Sequence, residues 1–295
     1  MRSTNFTFED VRTVFAIQNR DLRLHVASML RQIGYQKIIE VNTFERLKET
    51  LETDDVDLLL CDAFIDDKEA LKLINLVRHN QLGTNPYFTA IVLSEDRTPI
   101  SIEKIIDCGA DDILISPINP KLLVSRIQEL ISNRKGFVVT SDYIGPTRRT
   151  KPRDGSQVIP VVQVPNALRH MAEANSSRAS LRVGIHRCTE GVNAQKMQRI
   201  AYQLLFLANI IKPICLEEDQ QNFDAVPYYG RMLYFTRDLK RRIRGTPMEH
   251  TEVLCDSIIE VTDKLAKKPD APDAKDVLQL VKMAKAADQA FSKEE

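Results

Sequence analysis

The chain has 295 residues, a length that suits about two domains. Its 43% hydrophobic and 28% charged residues are typical of a globular protein, and 41 basic side chains balance 41 acidic ones. This balance argues against a protein that binds nucleic acid or a membrane surface through its overall charge. The charge is unevenly distributed, because residues 1–134 have a net charge of −5 and residues 135–190 one of +5.

Residues 11–131 alternate short apolar, β-branched runs with segments that are apolar at every third or fourth position. Five strands that alternate with five helices predict an α/β fold, a doubly wound five-stranded parallel sheet with right-handed crossovers. The predicted strands are 11–17, 37–41, 56–61, 89–93 and 112–115, and the predicted helices are 22–33, 44–52, 69–79, 101–108 and 120–132.

Polar residues stand at or just after the ends of four predicted strands: Gln18, Asn19, Asp62, Ser94 and Ser116. In an open parallel sheet the ligand site lies outside the carboxyl ends of the strands. We therefore expect these side chains to share one crevice.

Beyond residue 134 the pattern changes twice. Residues 135–191 are basic and rich in turn-forming residues, which predicts a connector. Residues 192–295 show helical patterns at 193–211, 228–243, 249–265 and 273–291, and Asp273 is the expected cap of the last one. The first of these patterns is apolar almost all round, which is typical of a bundle interior and leaves dimerisation open. We expect an α/β domain at 1–134, a basic linker at 135–191 and an all-α helical bundle at 192–295.

Residues 11–131 resemble the response-regulator receiver domain of bacterial two-component systems. Asp62 matches the phosphoacceptor of that family, and Ser94 matches the hydroxyl residue that follows its fourth strand. The run 109–112 (Gly-Ala-Asp-Asp), followed by Ser116 and Pro117, matches its fifth-strand signature. The resemblance implies a phosphorylation crevice and a cis peptide bond before Pro117.

The groups that drive phosphorylation in that family are replaced here. Two adjacent carboxylates normally hold Mg²⁺ after the first strand, whereas Gln18 and Asn19 offer neutral amide oxygens, which a hard cation binds less well. The lysine after the fifth strand is Ser116, which cannot neutralise the transferred phosphoryl group. We therefore expect Mg²⁺ binding to be weak or absent, and no other cofactor. Asp21 either replaces the lost acids or caps the first helix, and we favour the cap.

The connector contains a second recognisable motif. Residues 143–149 read Tyr-Ile-Gly-Pro-Thr-Arg-Arg, similar to a Tyr-x-Gly-Pro-x-Arg-Arg motif that follows domains of bacterial signalling proteins. Arg148 and Arg149 could bind carboxylates or phosphates beside Tyr143. Three interpretations remain: docking on the acidic α/β domain, a solvated linker, or an anion or nucleotide site. The opposite net charges favour docking in the acidic crevice.

Two further features are interpreted as having no functional role. The cluster Arg237, Lys240, Arg241, Arg242 and Arg244 is expected to be a solvated helix end rather than a nucleic-acid patch. His250 lacks the lysine and glycine that follow the histidine of phosphotransfer domains, so we do not expect it to carry phosphate.

The cysteines and the chain start bear on the compartment. Five cysteines without paired spacing favour reduced thiols, and His186 with Cys188 lacks the second ligand pair of a metal site. The first ten residues lack a signal-peptide core, and no apolar run approaches the roughly 20 residues that span a bilayer. We expect a cytoplasmic protein that does not bind a membrane.

Two functional hypotheses follow. The preferred one is a signal-transduction protein whose degenerate receiver domain acts mainly through protein–protein interaction, with a signalling protein such as a histidine kinase, or a second copy, as the partner. The alternative is a response regulator that is phosphorylated on Asp62 and has a helical output that does not bind DNA. We expect no enzymatic activity, because no catalytic triad order, phosphate-binding loop or carboxylate pair stands out.

Overall fold

The computed structural model describes residues 6–148, 159–173, 176–216 and 224–292. The chain divides into two compact units, Met1–Glu190 and Gly191–Glu295. The elements that begin in the first unit are β1 (Arg12–Ala16), α1 (Arg20–Gln32), β2 (Lys37–Glu40), α2 (Phe44–Thr53), β3 (Leu58–Asp62), β4 (Phe64–Ile65), β5 (Lys68–Glu69), α3 (Leu71–Arg78), β6 (Thr89–Ser94), α4 (Pro99–Asp107), β7 (Asp112–Ile115), α5 (Pro120–Asn133), β8 (Phe137–Val139), β9 (Ile144–Pro146), β10 (Val161–Val162), α6 (Ala167–Ala172) and α7 (Arg178–Leu216).

The main sheet confirms the predicted doubly wound α/β fold. Its order is β2-β1-β3-β6-β7, and every neighbouring pair is parallel. The central strand β3 is apolar because helices cover both of its faces. Leu59 packs with α2, α3 and α4 in one core, whereas Leu60 points to the opposite face, and both are fully buried. The carboxyl ends of the strands therefore meet at one edge of the sheet, here called the carboxyl edge, and their starts form the amino edge.

Polar caps fix where the helices begin. The side-chain oxygens of Asn19, Thr43, Thr98 and Asn119 each accept a hydrogen bond from a backbone N–H of α1, α2, α4 and α5. The favoured cap for α1, Asp21, is therefore wrong. Asp21 lies in the first turn of α1 instead, where its charge complements the helix dipole.

The sequence did not predict the short hairpin of β4 and β5. Asp66 and Asp67 have φ angles of 49° and 59°, and this left-handed pair forms the two-residue turn between the strands. Asp66 also accepts a hydrogen bond at 3.0 Å from the backbone N–H of Phe44, at the start of α2. Asp66 thus links the hairpin to the start of α2.

The segment expected to be a connector folds with the first unit. Strands β8, β9 and β10 form an antiparallel sheet in the order β10-β8-β9, and α6 packs against α5. Helix α7 begins at Arg178, fifteen residues before the predicted helix start at Asn193. The intervening sequence contains Gly184 and Gly191, which weaken a helix and hide it from periodicity analysis. Arg149 lies outside the described residues.

The second unit is helical, as predicted. It holds the later part of α7, then α8 (Val226–Ile243), a 3-10 helix (Pro247–Thr251), α9 (Glu252–Ala266) and α10 (Ala274–Phe291). Asp273 caps α10, since its side chain accepts from the Lys275 N–H. Fully buried residues from all four helices form one core, among them Ile200, Met232, Ile258 and Leu280.

Helix α7 contains an 18-residue stretch, with a mean hydropathy of 1.3, that is long and apolar enough to cross a membrane by length and composition. Core helices of soluble proteins meet the same criterion. Here Ile200, Leu204 and Ile211 of α7 are fully buried in the core of the second unit.

Candidate functional site

A cavity of about 590 Å³ opens at the carboxyl edge of the main sheet. It brings together five of the residues that the sequence placed in one crevice: Gln18, Asn19, Asp62, Ser94 and Ser116, with Pro117 beside them. Asp21 does not line it. The other lining residues are Leu22, Ala63, Phe64, Leu93, Glu95, Asp96 and Ile118. Thus, among the described lining residues, acids and amides are present and no lysine or arginine is.

Asp62 is the last residue of β3 and is partly buried in this cavity. One carboxylate oxygen accepts a hydrogen bond of 2.6 Å from the backbone N–H of Gln18. Burial raises the pKa of Asp62 above its ordinary value, and the negative charge of Glu95 acts in the same direction. The Gln18 N–H and the charge of Arg23 oppose this rise without cancelling it. The carboxylate is therefore held by a neutral donor rather than by a cation.

The two residues at the family's metal position are engaged in the fold. The side-chain oxygen of Asn19 accepts from the Leu22 N–H at 2.9 Å, because Asn19 is the cap of α1. The side-chain amide of Gln18 donates to the carbonyl oxygen of Asn42 at 3.3 Å. A Mg²⁺ ion prefers charged oxygen ligands, and here it would have to displace the helix cap to use Asn19. The described residues contain no group of three His, Cys, Asp or Glu suited to a metal ion. The residues present do not fit Mg²⁺.

The remaining crevice residues face one another across β6 and β7. The Ser94 hydroxyl donates to the carbonyl oxygen of Asp96 at 3.0 Å and also accepts from the Asp96 N–H. The Ser116–Pro117 peptide bond is cis, as predicted. Arg97 donates to the carbonyl oxygen of Ser116 at 2.5 Å, so a guanidinium lies at the rim of the cavity. Sequence reasoning missed Arg97, because it lies outside the spacing from which the crevice was inferred.

The motif at 143–148 lies at the amino edge, not in the crevice. The Tyr143 hydroxyl donates to the carbonyl oxygen of Pro146 at 2.9 Å, and Arg148 donates to the carbonyl oxygens of Ala110 and Asp111. A side chain at Gly145 would come within 2.8 Å of the Gly109 backbone. The connector therefore docks on the loop before β7. The prediction that it packs in the acidic crevice is wrong, because its arginine binds main-chain carbonyls at the opposite edge.

The acid in that loop, Asp111, is already paired with two arginines. Asp111 is almost fully buried and accepts from Arg78 at 3.0 Å and from Arg134 at 2.7 Å. The Ala90 N–H donates to the same carboxylate at 2.9 Å. Burial lowers the pKa of Arg78 to about 10, even with Asp111 beside it. Sequence reasoning assigned no role to Arg78 or Arg134, since neither belongs to a motif.

The basic cluster on α8 is largely neutralised by neighbouring acids. Lys240 lies 2.5 Å from Asp256, and Arg241 and Arg242 both bind Asp238. His250 is in the 3-10 helix, where its Nδ1 contacts the carbonyl oxygen of Pro247 at 2.8 Å. Arg242 and Asp238 are buried, so this part of the cluster is not the solvated helix end that the sequence suggested.

A family model described as the response regulator receiver domain matches residues 18–128. Residues 18–128 are a response regulator receiver domain. The match runs from the start of the crevice to the middle of α5, and a receiver domain implies bacterial two-component signalling.

Solved structures similar to the chain are receiver domains. A response regulator from Thermotoga maritima is 24% identical and covers 42% of this chain and 99% of its own, with a TM-score of 0.36. The receiver domain of a signal transduction histidine kinase from Syntrophus aciditrophicus is 20% identical and covers 41% and 90%, with a TM-score of 0.37. A response regulator from Chloroflexus aurantiacus is 19% identical and covers 41% and 96%, also with a TM-score of 0.37.

Among curated proteins, a relative described as a cyclic di-GMP phosphodiesterase from Thermotoga maritima is 24% identical over 133 residues. The match covers 45% of this chain and 34% of the relative. The chain therefore spans about a third of the length of this relative.

Proposed function

We propose that this chain is a signalling protein whose receiver domain acts through protein–protein contact, with little or no dependence on phosphorylation of Asp62. The observation that carries the proposal is the arrangement at the metal position. Asn19 is committed to the α1 cap, and the Asp62 carboxylate is bound by the Gln18 N–H. In phosphoryl transfer the developing charge is neutralised by a metal ion and a cationic side chain. The metal position here offers only the amide oxygens of Gln18 and Asn19, and the described cavity lining contains no lysine or arginine.

The electrostatics of the crevice also support this proposal. Phosphorylation of Asp62 would replace its single negative charge by roughly two at neutral pH, a net gain of roughly one negative charge. Glu95 and Asp96 line the same cavity, so the added charge would be repelled. Arg23, whose charge acts on Asp62, is bound to the Ile17 carbonyl, and the Arg97 guanidinium is bound to the Ser116 carbonyl.

A phosphorylation-competent response regulator is the second candidate. It is favoured by the position of Asp62, Ser94 and Ser116 in one cavity. In that case Arg97 would have to leave the Ser116 carbonyl and take over the charge of the missing lysine.

The partner that we propose is another signalling protein, such as a histidine kinase, with self-association as a second route. We propose no enzymatic activity, no nucleic-acid binding and no membrane binding for the chain, and a cytoplasmic location. The absence of enzymatic activity is best tested by a direct phosphodiesterase assay, because one relative is described as a cyclic di-GMP phosphodiesterase, although the match covers only 34% of that relative.

The deciding experiment is the intact mass of the full chain after incubation with Mg²⁺ and acetyl phosphate. The wild-type chain is expected to gain no phosphoryl adduct. A variant that restores the family's groups, Gln18→Asp with Asn19→Asp and Ser116→Lys, is expected to gain one. Asp is as good a helix cap as Asn, so the second substitution keeps the start of α1.

Asp62→Asn in the restored background is the matched control, and it should abolish the adduct. A wild-type adduct that disappears in Asp62→Asn would contradict the proposal and establish the second candidate. If neither the wild type nor the restored variant gains an adduct, the missing groups are not the reason for inactivity, and the argument from the metal position fails.

A further inference from the structure

Two aspartates at the amino edge hold the beginning of α7 onto the receiver unit. Asp57 is fully buried, and its carboxylate receives both terminal nitrogens of Arg178, at 2.6 and 2.8 Å, together with the Arg12 N–H at 2.9 Å. One turn later, Arg182 lies 2.5 Å from Asp55. Residues 178–190 of α7, here called the strap, are thus attached through paired charges.

The strap has a sequence that is poor at forming a helix by itself. Its first turn contains no acid, and Arg178 places a positive charge at the helix N-terminus, where the dipole disfavours cations. Gly184 lies in its middle and Gly191 follows its end, and each glycine weakens a helix interior. Val183 and Ile185 are β-branched, which lowers helix propensity further.

Docking on the receiver unit supplies the helix-stabilising contacts that the strap sequence lacks. Asp57 and Asp55 bring carboxylates to the N-terminal turns of the helix, where anions are stabilising. Leu181 and Ile185, one turn apart, are 3% and 7% exposed, so the same face of the strap also buries apolar surface. The charged pairs and the apolar pair lie on one side and act together.

We propose that the strap is a conditional helix, which is folded while Arg178 and Arg182 are docked on Asp57 and Asp55 and which unwinds when it leaves the amino edge. Release would expose both partners of the Asp57–Arg178 pair to water, so no unpaired charge would stay buried in the sheet. The strap can therefore detach without unfolding the receiver domain. Order–disorder transitions of this kind are a common form of molecular switch.

This device stands apart from the proposed function. It uses the amino edge of the sheet, opposite the Asp62 crevice, and requires no phosphoryl group. It makes the number of helical turns in α7 depend on whether the receiver holds the strap. A signal that reaches the amino edge would then change α7 itself.

The test is hydrogen exchange of the full chain, followed in peptides from residues 176–192. Arg178→Gln should speed exchange in the strap by at least about tenfold, since bonds to charged groups of this kind are worth that much or more. Exchange in β1 and β3 should be unchanged. Arg187→Gln is the matched control, because Arg187 is an exposed arginine of the same strap. The strap amides of this control variant should exchange at the wild-type rate.

A second variant tests whether helix formation is what docking supplies. Gly184→Ala in the Arg178→Gln background should slow strap exchange, because alanine favours the helix and its methyl group would meet only a Pro165 side-chain atom at 3.9 Å. The proposal is overturned if Arg178→Gln leaves strap exchange unchanged, or if the acceleration spreads to β1 and β3. It is also overturned if Gly184→Ala has no effect in that background.

Discussion

Arg78 is expected to contribute strongly to the stability of the receiver domain, and Arg78→Met tests this. The guanidinium is fully buried, and it donates to the carbonyl oxygens of Gly109 at 2.9 Å and of Pro86 and Phe88 at 2.5 and 2.9 Å. It also donates to Asp111 at 3.0 Å. Methionine fills a similar volume but supplies none of these bonds, so the substitution isolates the polar contribution.

The expected loss in the free energy of unfolding depends on which hydrogen bonds each partner of Arg78 keeps after the substitution. Asp111 keeps Arg134 and the Ala90 N–H, and the Phe88 carbonyl keeps a second bond from Arg134 at 3.0 Å. The carbonyl oxygens of Gly109 and Pro86 lose a donor inside the protein. Breaking a buried ion pair costs about 3–5 kcal/mol, and the retained Arg134 places this case near the lower end, at about 3 kcal/mol. That free energy corresponds to about a hundredfold change in the unfolding equilibrium.

Hydrogen exchange of β3 and β6 amides in increasing urea measures this quantity, because these central strands report unfolding of the receiver unit and not of the second unit. Arg126→Met is the control. Arg126 is 49% exposed and lies 3.7 Å from Asp112, so its pair should contribute at most about 1 kcal/mol. If Arg78→Met destabilises no more than Arg126→Met, the assigned role of the buried cluster is wrong.

Two other outcomes are expected. Gly145→Ala should destabilise the first unit by about 1–3 kcal/mol in urea unfolding, because its methyl group would lie 2.4 Å from the Tyr143 hydroxyl. Gly191→Ala is the control: nothing lies within 4 Å of its methyl group, so it should be neutral or stabilising. Equal effects of the two substitutions would disprove the close packing at Gly145. Asp62 has a raised pKa, so the folded state binds its proton more tightly than the unfolded state does, and its contribution becomes less favourable as the pH rises through the unfolded and then the folded pKa. Asp62→Asn should therefore stabilise the receiver unit at pH 7, with the gain shrinking as the pH falls through the folded and then the unfolded pKa. A gain that grows in acid would show that the sign is wrong.

The sheet was predictable from the sequence because its strands are covered on both sides. The run 58–61 is apolar throughout, and that pattern marks a central parallel strand. The strand ends then placed Asp62, Ser94 and Ser116 at one edge, and all three line the same cavity. Hydrophobic periodicity carries this information without any knowledge of side-chain contacts.

The sequence could not show how charged residues pair over long separations. Asp57 and Arg178 are 121 positions apart and Asp111 and Arg134 are 23 apart, and no local pattern links them. Arg178 also lies in a segment whose glycines conceal the helix, so both the element and its contact were missed. Composition suggested that the connector would dock on the acidic domain, but it could not distinguish the crevice from the opposite edge of the sheet.

The two edges of the receiver sheet handle buried carboxylates in different ways. At the amino edge Asp57 and Asp111 are each bound by an arginine, which offsets part of the cost of burying their charge, although burial still raises the pKa of Asp57. At the carboxyl edge Asp62 has a backbone N–H as its donor, and its pKa rises. An asparagine at position 62 could accept the same hydrogen bond without the cost of burying a charge. Packing therefore does not require an acid at position 62. We propose that its charge serves either phosphorylation or contact with a positively charged group of a partner. The mass measurement on the wild-type chain, with Asp62→Asn as its control, separates these two roles, because only the first produces a covalent adduct.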